Sequence, residues 1–176
     1  MVSLKNFDDN WKVFFKKEKE RLLSVLSGQD VVSIDHIGAT SVVMCKTSGT
    51  IDVLVTIQDK IEFFTVKNLL NRFGYEYVDH LSDIFHCLFF LRRNTKRQII
   101  CTIRVVENAS EEHMKYIGFK QYLKSGQGKV KKYNEARKIM IEKTGGKPAE
   151  YQKMKSDYIE SILRDYCEVK NIVCTD

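Results

Sequence analysis

Residues 31–57 of this 176-residue chain, VVSIDHIGATSVVMCKTSGTIDVLVTI, concentrate the side chains that could do chemistry. An apolar run ends in Asp35, His36 and Ile37. The small residues Gly38, Ala39, Thr40 and Ser41 follow, and a second apolar run carries one acidic residue, Asp52. Both runs are rich in Val and Ile and too short for stable helices, which predicts two strands joined by a tight loop opening a short helical turn. Small residues let backbone N–H groups face outward, and Thr40 or Ser41 can cap the turn. A loop that could hold phosphates, facing a carboxylate that could hold a metal such as Mg²⁺, suits phosphoryl transfer. The same residues also fit a plain strand–turn–strand unit with a solvated aspartate. His36, two residues before Gly38, can serve as a general base at neutral pH or bond a neighbouring carbonyl as a structural residue.

The segment resembles the core motif of the GrpB family (the UPF0157 group), which reads roughly I-E-H-[IV]-G-S-T-[SA]-V-P-G-L-x-x-K-P-I-I-D-[IL]. Residues 34–42, IDHIGATSV, follow its first half, and Ile51, Asp52 and Val53 its end, at the same glycine-to-aspartate spacing. Phe7, Asp8 and Trp11, with Phe15 and Glu18, resemble the family's Y-[DN]-x-x-W-x-x-x-[FY]-x-x-E start. Residues 118–123, GFKQYL, resemble its F-R-D-Y-L helix, and Tyr133, Tyr151, Lys155 and Ile159 fall where the family's last helices place such residues. The resemblance implies an α/β (α+β) fold like that of the nucleotidyltransferases. It would have a small mixed sheet of four to five strands, surrounding helices and a helical C-terminal third, as one domain over 1–176. It further implies a nucleotide or other small phosphorylated ligand at Gly38, Ala39, Thr40 and Ser41. Asp52 would be the catalytic and metal-holding residue, taking Mg²⁺, with His36 or Arg104 assisting.

The departures bear on chemistry. Val43 and Met44 stand where the family has Pro-Gly, and Ser48 and Gly49 where it has Lys-Pro. Arg104 replaces a family histidine on a strand expected beside that of Asp52, where it can contact a phosphate or pair with Asp52. Nucleotidyltransferases usually show two carboxylates two residues apart, and the second position here is Leu54. A divalent ion bridging substrate phosphates commonly needs more than one protein oxygen. Two readings therefore stand: a divergent nucleotidyltransferase-like enzyme, and a non-catalytic descendant of the fold that binds an anion, a nucleic acid or another protein.

Composition fits one compact domain, with 43% hydrophobic residues and no apolar run near the roughly 20 residues needed to cross a bilayer. No signal-peptide core is visible at the charged N-terminus, so a cytoplasmic protein without membrane attachment is expected. The five cysteines include no C-x-x-C pair; Cys87 and Cys101 sit on apolar runs, as buried free thiols do. The formal charge of +6 gathers partly in a tract holding Lys124, Lys129, Lys131, Lys132, Arg137 and Lys138 against Glu135. Helical spacing predicts Lys124, Lys131 and Lys138 on one face. Such a patch can track a phosphate backbone, yet no stacking or base-reading motif accompanies it, so a solvated face or a collector of small anions is the favoured reading.

The elements that must position these residues follow from periodicity and breakers. A first helix is expected from Asp8 or Asp9 to about residue 27, with Trp11, Phe14, Phe15, Leu22 and Leu26 near one stripe and Gly28 as its stop. A second helix should cover 60–73 and end at Gly74, and residues 75–78 read as an edge strand. Apolar runs over 84–91 and 97–106 read as strands of a hairpin around residues 93–96, with His86 structural on the first. His80 and His113 read as exposed. Helices are expected over 110–124, 128–143 and 148–168, with residues 144–148 (TGGKP) as a clean break.

Overall fold

The structure, a computed structural model, describes residues 1–170. Its elements are α1 (Asn10–Val25), β1 (Val31–Ile37), β2 (Ile51–Ile57), α2 (Phe63–Arg72), β3 (Glu76–Tyr77), α3 (Asp79–Phe85), β4 (Leu88–Arg93), β5 (Ile99–Glu107), α4 (Glu111–Lys124), α5 (Gln127–Thr144) and α6 (Pro148–Lys170), with single 3₁₀ turns at Ala39–Ser41 and Lys60–Glu62. The strands form one mixed sheet in the order β1-β2-β5-β4-β3. β1 runs antiparallel to β2, β2 parallel to β5, and β5 antiparallel to β4. The parallel pair is why β2 reads as a near-continuous apolar run: with strands on both edges and helices on both faces, it has almost no solvated side.

Alternation along β2 divides the core. Ile51, Val53, Val55 and Ile57 point toward α1 and α2 and pack with Leu22, Leu26, Val66, Leu70, Phe90 and Ile103. Full burial of a Val or Ile side chain stabilises by about 1.5–3 kcal/mol, so this face anchors the sheet. The opposite face, under α3 and α4, packs Leu54 against Ile37, Cys87, Phe89, Leu91 and Val106. A third cluster joins the loop after β1 to the C-terminal helices through Val42, Cys45, Phe119, Leu123, Val130, Tyr133, Ile162 and Leu163. Under α1, the buried Glu18 accepts a 2.8 Å hydrogen bond from the Tyr75 hydroxyl and pairs with Arg92. A buried carboxylate is tolerable only with such partners.

Several sequence expectations need correction. Residues 84–91 are not one strand. Asp79–Phe85 is helical, His86 adopts the left-handed conformation that ends the helix (φ 48°), and β4 begins at Leu88. The Ser82 hydroxyl, which donates to the Val78 carbonyl and accepts from the Phe89 N–H, ties that helix to the strand. His86 is accordingly an exposed cap rather than a buried strand residue. His113 is half-buried, with Nδ1 accepting from the Ala109 N–H at the start of α4. The basic tract is also divided, because α4 ends at Lys124 and α5 starts at Gln127, so Lys124 does not share a helix with Lys131 and Lys138. Cys45, Cys87 and Cys101 are buried free thiols, and burial pushes Cys45 and Cys87 up to about 11, away from reactivity. Cys174 and the side chain of Cys167 lie outside the described part. No helix among the described residues is long and apolar enough to cross a membrane.

Candidate functional site

Register decides which candidate residues meet. Asp52 is paired across to Ile37 on one side and Thr102 on the other, and Leu54 to Arg104. Side chains two residues apart share a face, so Asp52, Thr102 and Arg104 all project to the side covered by α3 and α4. Asp52 Oδ1 accepts from the Thr102 hydroxyl at 2.5 Å and from Arg104 Nη1 at 3.1 Å, and Nη1 also donates to Thr102 Oγ1 at 3.0 Å. The guanidinium carbon of Arg104 lies 5.3, 5.0 and 5.3 Å from the ring centres of Phe85, Phe89 and Tyr116. Arg104 is buried and its Nε has no hydrogen-bond partner, while Asp52 keeps 30% of its side-chain surface exposed. Desolvation alone would raise the Asp52 carboxyl; Arg104, Lys155 and the Thr102 hydroxyl together hold it below the usual carboxylate range.

The 38–41 loop meets this cluster through Gly38. Gly38 has φ 68° and ψ −170°, a region open in practice to glycine alone, and a Cβ there would lie 2.5 Å from Asp52 Oδ2. The close approach presses the loop backbone against the carboxylate. Neither Thr40 nor Ser41 caps the turn as expected. Ser41 Oγ donates back to the Gly38 carbonyl at 2.7 Å, Thr40 is buried against His36, and Ala39 packs into the helical cluster.

His36 stands apart. Strand alternation turns it to the α1 side, where it stacks on Phe15 (4.7 Å between ring centres) and its Nε2 shares a 2.9 Å hydrogen bond with Thr40 Oγ1. Burial lowers its pKa to about 4; Asp52 opposes the shift while Lys120 and Lys124 add to it. The ring is therefore neutral at pH 7 and packed within the fold, not turned toward Asp52.

Two residues not singled out for a role in the sequence join the site. Lys155 of α6 is half-buried, and its ammonium interacts electrostatically with Asp52, Arg104 and Arg137. Burial brings its pKa down to about 8, with Asp52 opposing and the two arginines assisting. Arg137 of α5 is buried, donating to the Tyr151 hydroxyl at 2.7 Å and to the Lys46 carbonyl. A signal for both existed: Arg137 lies four residues after Tyr133, and Lys155 four after Tyr151, which places each on its helix's buried stripe.

The residues present do not fit a Mg²⁺ site. One Asp52 oxygen is taken by Thr102 and Arg104, the other abuts Gly38, and the neighbouring charged groups are cations. A hard divalent ion needs several oxygens and repels such company. The arrangement instead suits an anion.

Comparison with known proteins agrees with the fold. The chain is 27% identical over 170 residues to the Glutamate-rich protein GrpB of Alkalihalophilus pseudofirmus, covering 93% of this chain and 95% of that one. It is 32% identical over 132 residues to a UPF0157 protein of Vibrio cholerae, covering 74% and 65% of the two chains. The crystal structure of GrpB from Enterococcus faecalis superposes with a TM-score of 0.80 at 19% identity, covering 96% of this chain and 99% of that one. A family model described as GrpB protein matches residues 1–165, and the chain belongs to the GrpB family.

Proposed function

We propose that this protein binds a nucleotide or other small phosphorylated ligand where the 38–41 loop, Asp52, Arg104 and Lys155 converge, and that it does so without nucleotidyl transfer. The observation that carries this reading is the Arg104–Asp52 pair. The arginine engages the strand aspartate that a catalytic metal would need as its ligand, and its flat, fixed guanidinium is the group best matched to phosphate oxygens. The anion-binding descendant of the fold is thus favoured over the transferase.

Calorimetric titration with ATP, GTP, CTP and UTP, with and without Mg²⁺, tests it together with Asp52→Asn. That substitution keeps shape and leaves the cations less compensated. It is expected to cost about 2–3 kcal/mol of stability, at the low end for a largely buried pair because Asp52 is partly exposed. Affinity for a phosphorylated ligand should change little, because the amide oxygen can still accept from Arg104 while a repelling negative charge is gone. Loss of Mg²⁺-dependent nucleotide binding in a folded Asp52→Asn protein would instead establish Asp52 as a metal ligand.

A further inference from the structure

The charges around Asp52 do not balance. Arg104, Arg137 and Lys155 lie in one electrostatically connected group, and Asp52 is the carboxylate that interacts with Lys155 from within it. Arg104 pairs with Asp52. Arg137 spends its bonds on two neutral oxygens, the Tyr151 hydroxyl and the Lys46 carbonyl. Among the described residues, neither Arg137 nor Lys155 has a carboxylate within 4.0 Å. The nearby Lys120 is already matched by Asp35 at 3.5 Å and adds no net charge.

Two positive charges are therefore left without a counter-charge in surroundings where water is largely displaced. Uncompensated charge there is costly, and proteins normally neutralise it with a partner or keep it for a ligand. Arg104 also has a buried Nε donor with no hydrogen-bond partner, and its guanidinium is packed among the rings of Phe85, Phe89 and Tyr116. The exposed part of Asp52 and the partial exposure of Lys155 leave the group open on one side.

We infer that this site takes the dianionic phosphate of a phosphate monoester directly on Lys155 and Arg104, with no divalent ion, and that Asp52 serves to hold Arg104 in place. The inference rests on the anion-binding reading above and goes further in naming the charge state and the cation that receives it. A terminal phosphate carries about −1.5 to −2 at neutral pH, which matches the uncompensated charge. A phosphodiester, with a single negative charge, matches it half as well. Lys155 acts as the gathering cation, and Arg104, already fixed by Asp52 and Thr102, as the orienting one. Arg137 contributes field rather than contact, because it is buried and turned toward the Tyr151 hydroxyl and the Lys46 carbonyl.

Isothermal titration of the full chain with AMP, inorganic phosphate, the cyclic phosphodiester of AMP, and adenosine, each in EDTA and in Mg²⁺, is the test. Expected are saturable binding of AMP in EDTA, unchanged by Mg²⁺, at least tenfold weaker binding of the cyclic diester, and no binding of adenosine. Inorganic phosphate should compete with AMP, which separates recognition of the phosphate from recognition of the base. Lys155→Met removes the gathering cation and is expected to weaken AMP at least tenfold while raising Tm, because it also relieves repulsion from Arg104 and Arg137 in a cluster with more cations than carboxylates. A merely structural lysine would instead lower Tm on substitution. Retained AMP affinity in Lys155→Met, binding that requires Mg²⁺, or adenosine binding as well as AMP would each overturn the inference while leaving a ligand site in place. Failure of every phosphorylated probe, in EDTA and in Mg²⁺ alike, would remove the anion-binding reading itself.

Discussion

His36 shows how burial can withdraw a residue from the chemistry its type suggests. An imidazole beside a glycine loop reads as a general base, yet this ring is stacked on Phe15, bonded to Thr40 and held to a pKa of about 4, chiefly by desolvation. In the unfolded chain it titrates near 6.5. The folded pKa is the lower one, so between these values the unfolded state binds more protons. The contribution to stability is then complete above about pH 6.5 and is lost as pH falls toward 4. A shift of that size corresponds to on the order of 3 kcal/mol, of which about 2 should be gone by pH 5. Urea unfolding of the wild type and His36→Gln at pH 7, 6 and 5 measures it, with the stability gap between the two proteins expected to shrink as pH falls. A constant gap would mean that the ring titrates freely and remains available as a base.

At the scale of elements, the unit formed by β1, the 38–41 turn and β2 sets the site, and Gly38 is its pivot. Alanine there would need a backbone conformation costing roughly 1–3 kcal/mol and would bring its Cβ within 2.5 Å of Asp52 Oδ2. The carboxylate must then swing away and loosen Arg104 behind it. Gly38→Ala is expected to destabilise by about 3 kcal/mol or more, whereas Gly28→Ala, with φ also positive at 86° and open space around its Cβ position, should cost only the backbone strain, about 1 kcal/mol. Thermal unfolding of the two variants side by side checks the difference, and equal losses would show that Gly38 matters for its dihedral angles alone. The glycine and the aspartate were legible in the sequence because both stand out from Val- and Ile-rich runs. Their contact was not, since it depends on β1 and β2 pairing antiparallel with Ile37 opposite Asp52. The pairing of Arg104 with Asp52 could be posed as one of two options, and only the parallel register of β2 and β5 selects it. The α3–β4 boundary was hidden for another reason. Residues 84–88 are apolar enough to suit a strand or a helix end, and the hydrogen bonds of Ser82 that settle the matter are not a periodic signal.

For the molecule as a whole, the +6 charge still invites a nucleic-acid partner, and the arrangement of the helices argues against a strong one. The break between α4 and α5 divides the expected stripe, and Arg137 of the same tract turns inward to Tyr151 and Lys46. Lys124 and Lys132 stay on the surface as separate exposed side chains, and the grouped charges are those of a shallow groove of about 520 Å³ between the 44–46 loop and α5, where Lys46, Lys131 and Lys138 face Glu135. Asn134 is not free to read a base there, because its amide clamps the loop through the Lys46 N–H and the Met44 carbonyl. Two or three lysines would neutralise a comparable number of phosphates, giving a log–log salt slope of order −2, far below that of a dedicated nucleic-acid binder. Without stacking aromatics or base-edge donors, such contacts position a backbone but give little affinity. Gel-shift series with single-stranded RNA, duplex RNA and duplex DNA at about 0.15 M salt should therefore show binding weaker than micromolar and indifferent to sequence. Changing Lys131 and Lys138 to Glu should abolish even that residue of binding while leaving AMP affinity unaltered, because the Asp52 cluster is built from other side chains. Sub-micromolar binding lost in that double variant would instead make the groove the principal working surface of the protein and the Asp52 cluster a feature of its architecture.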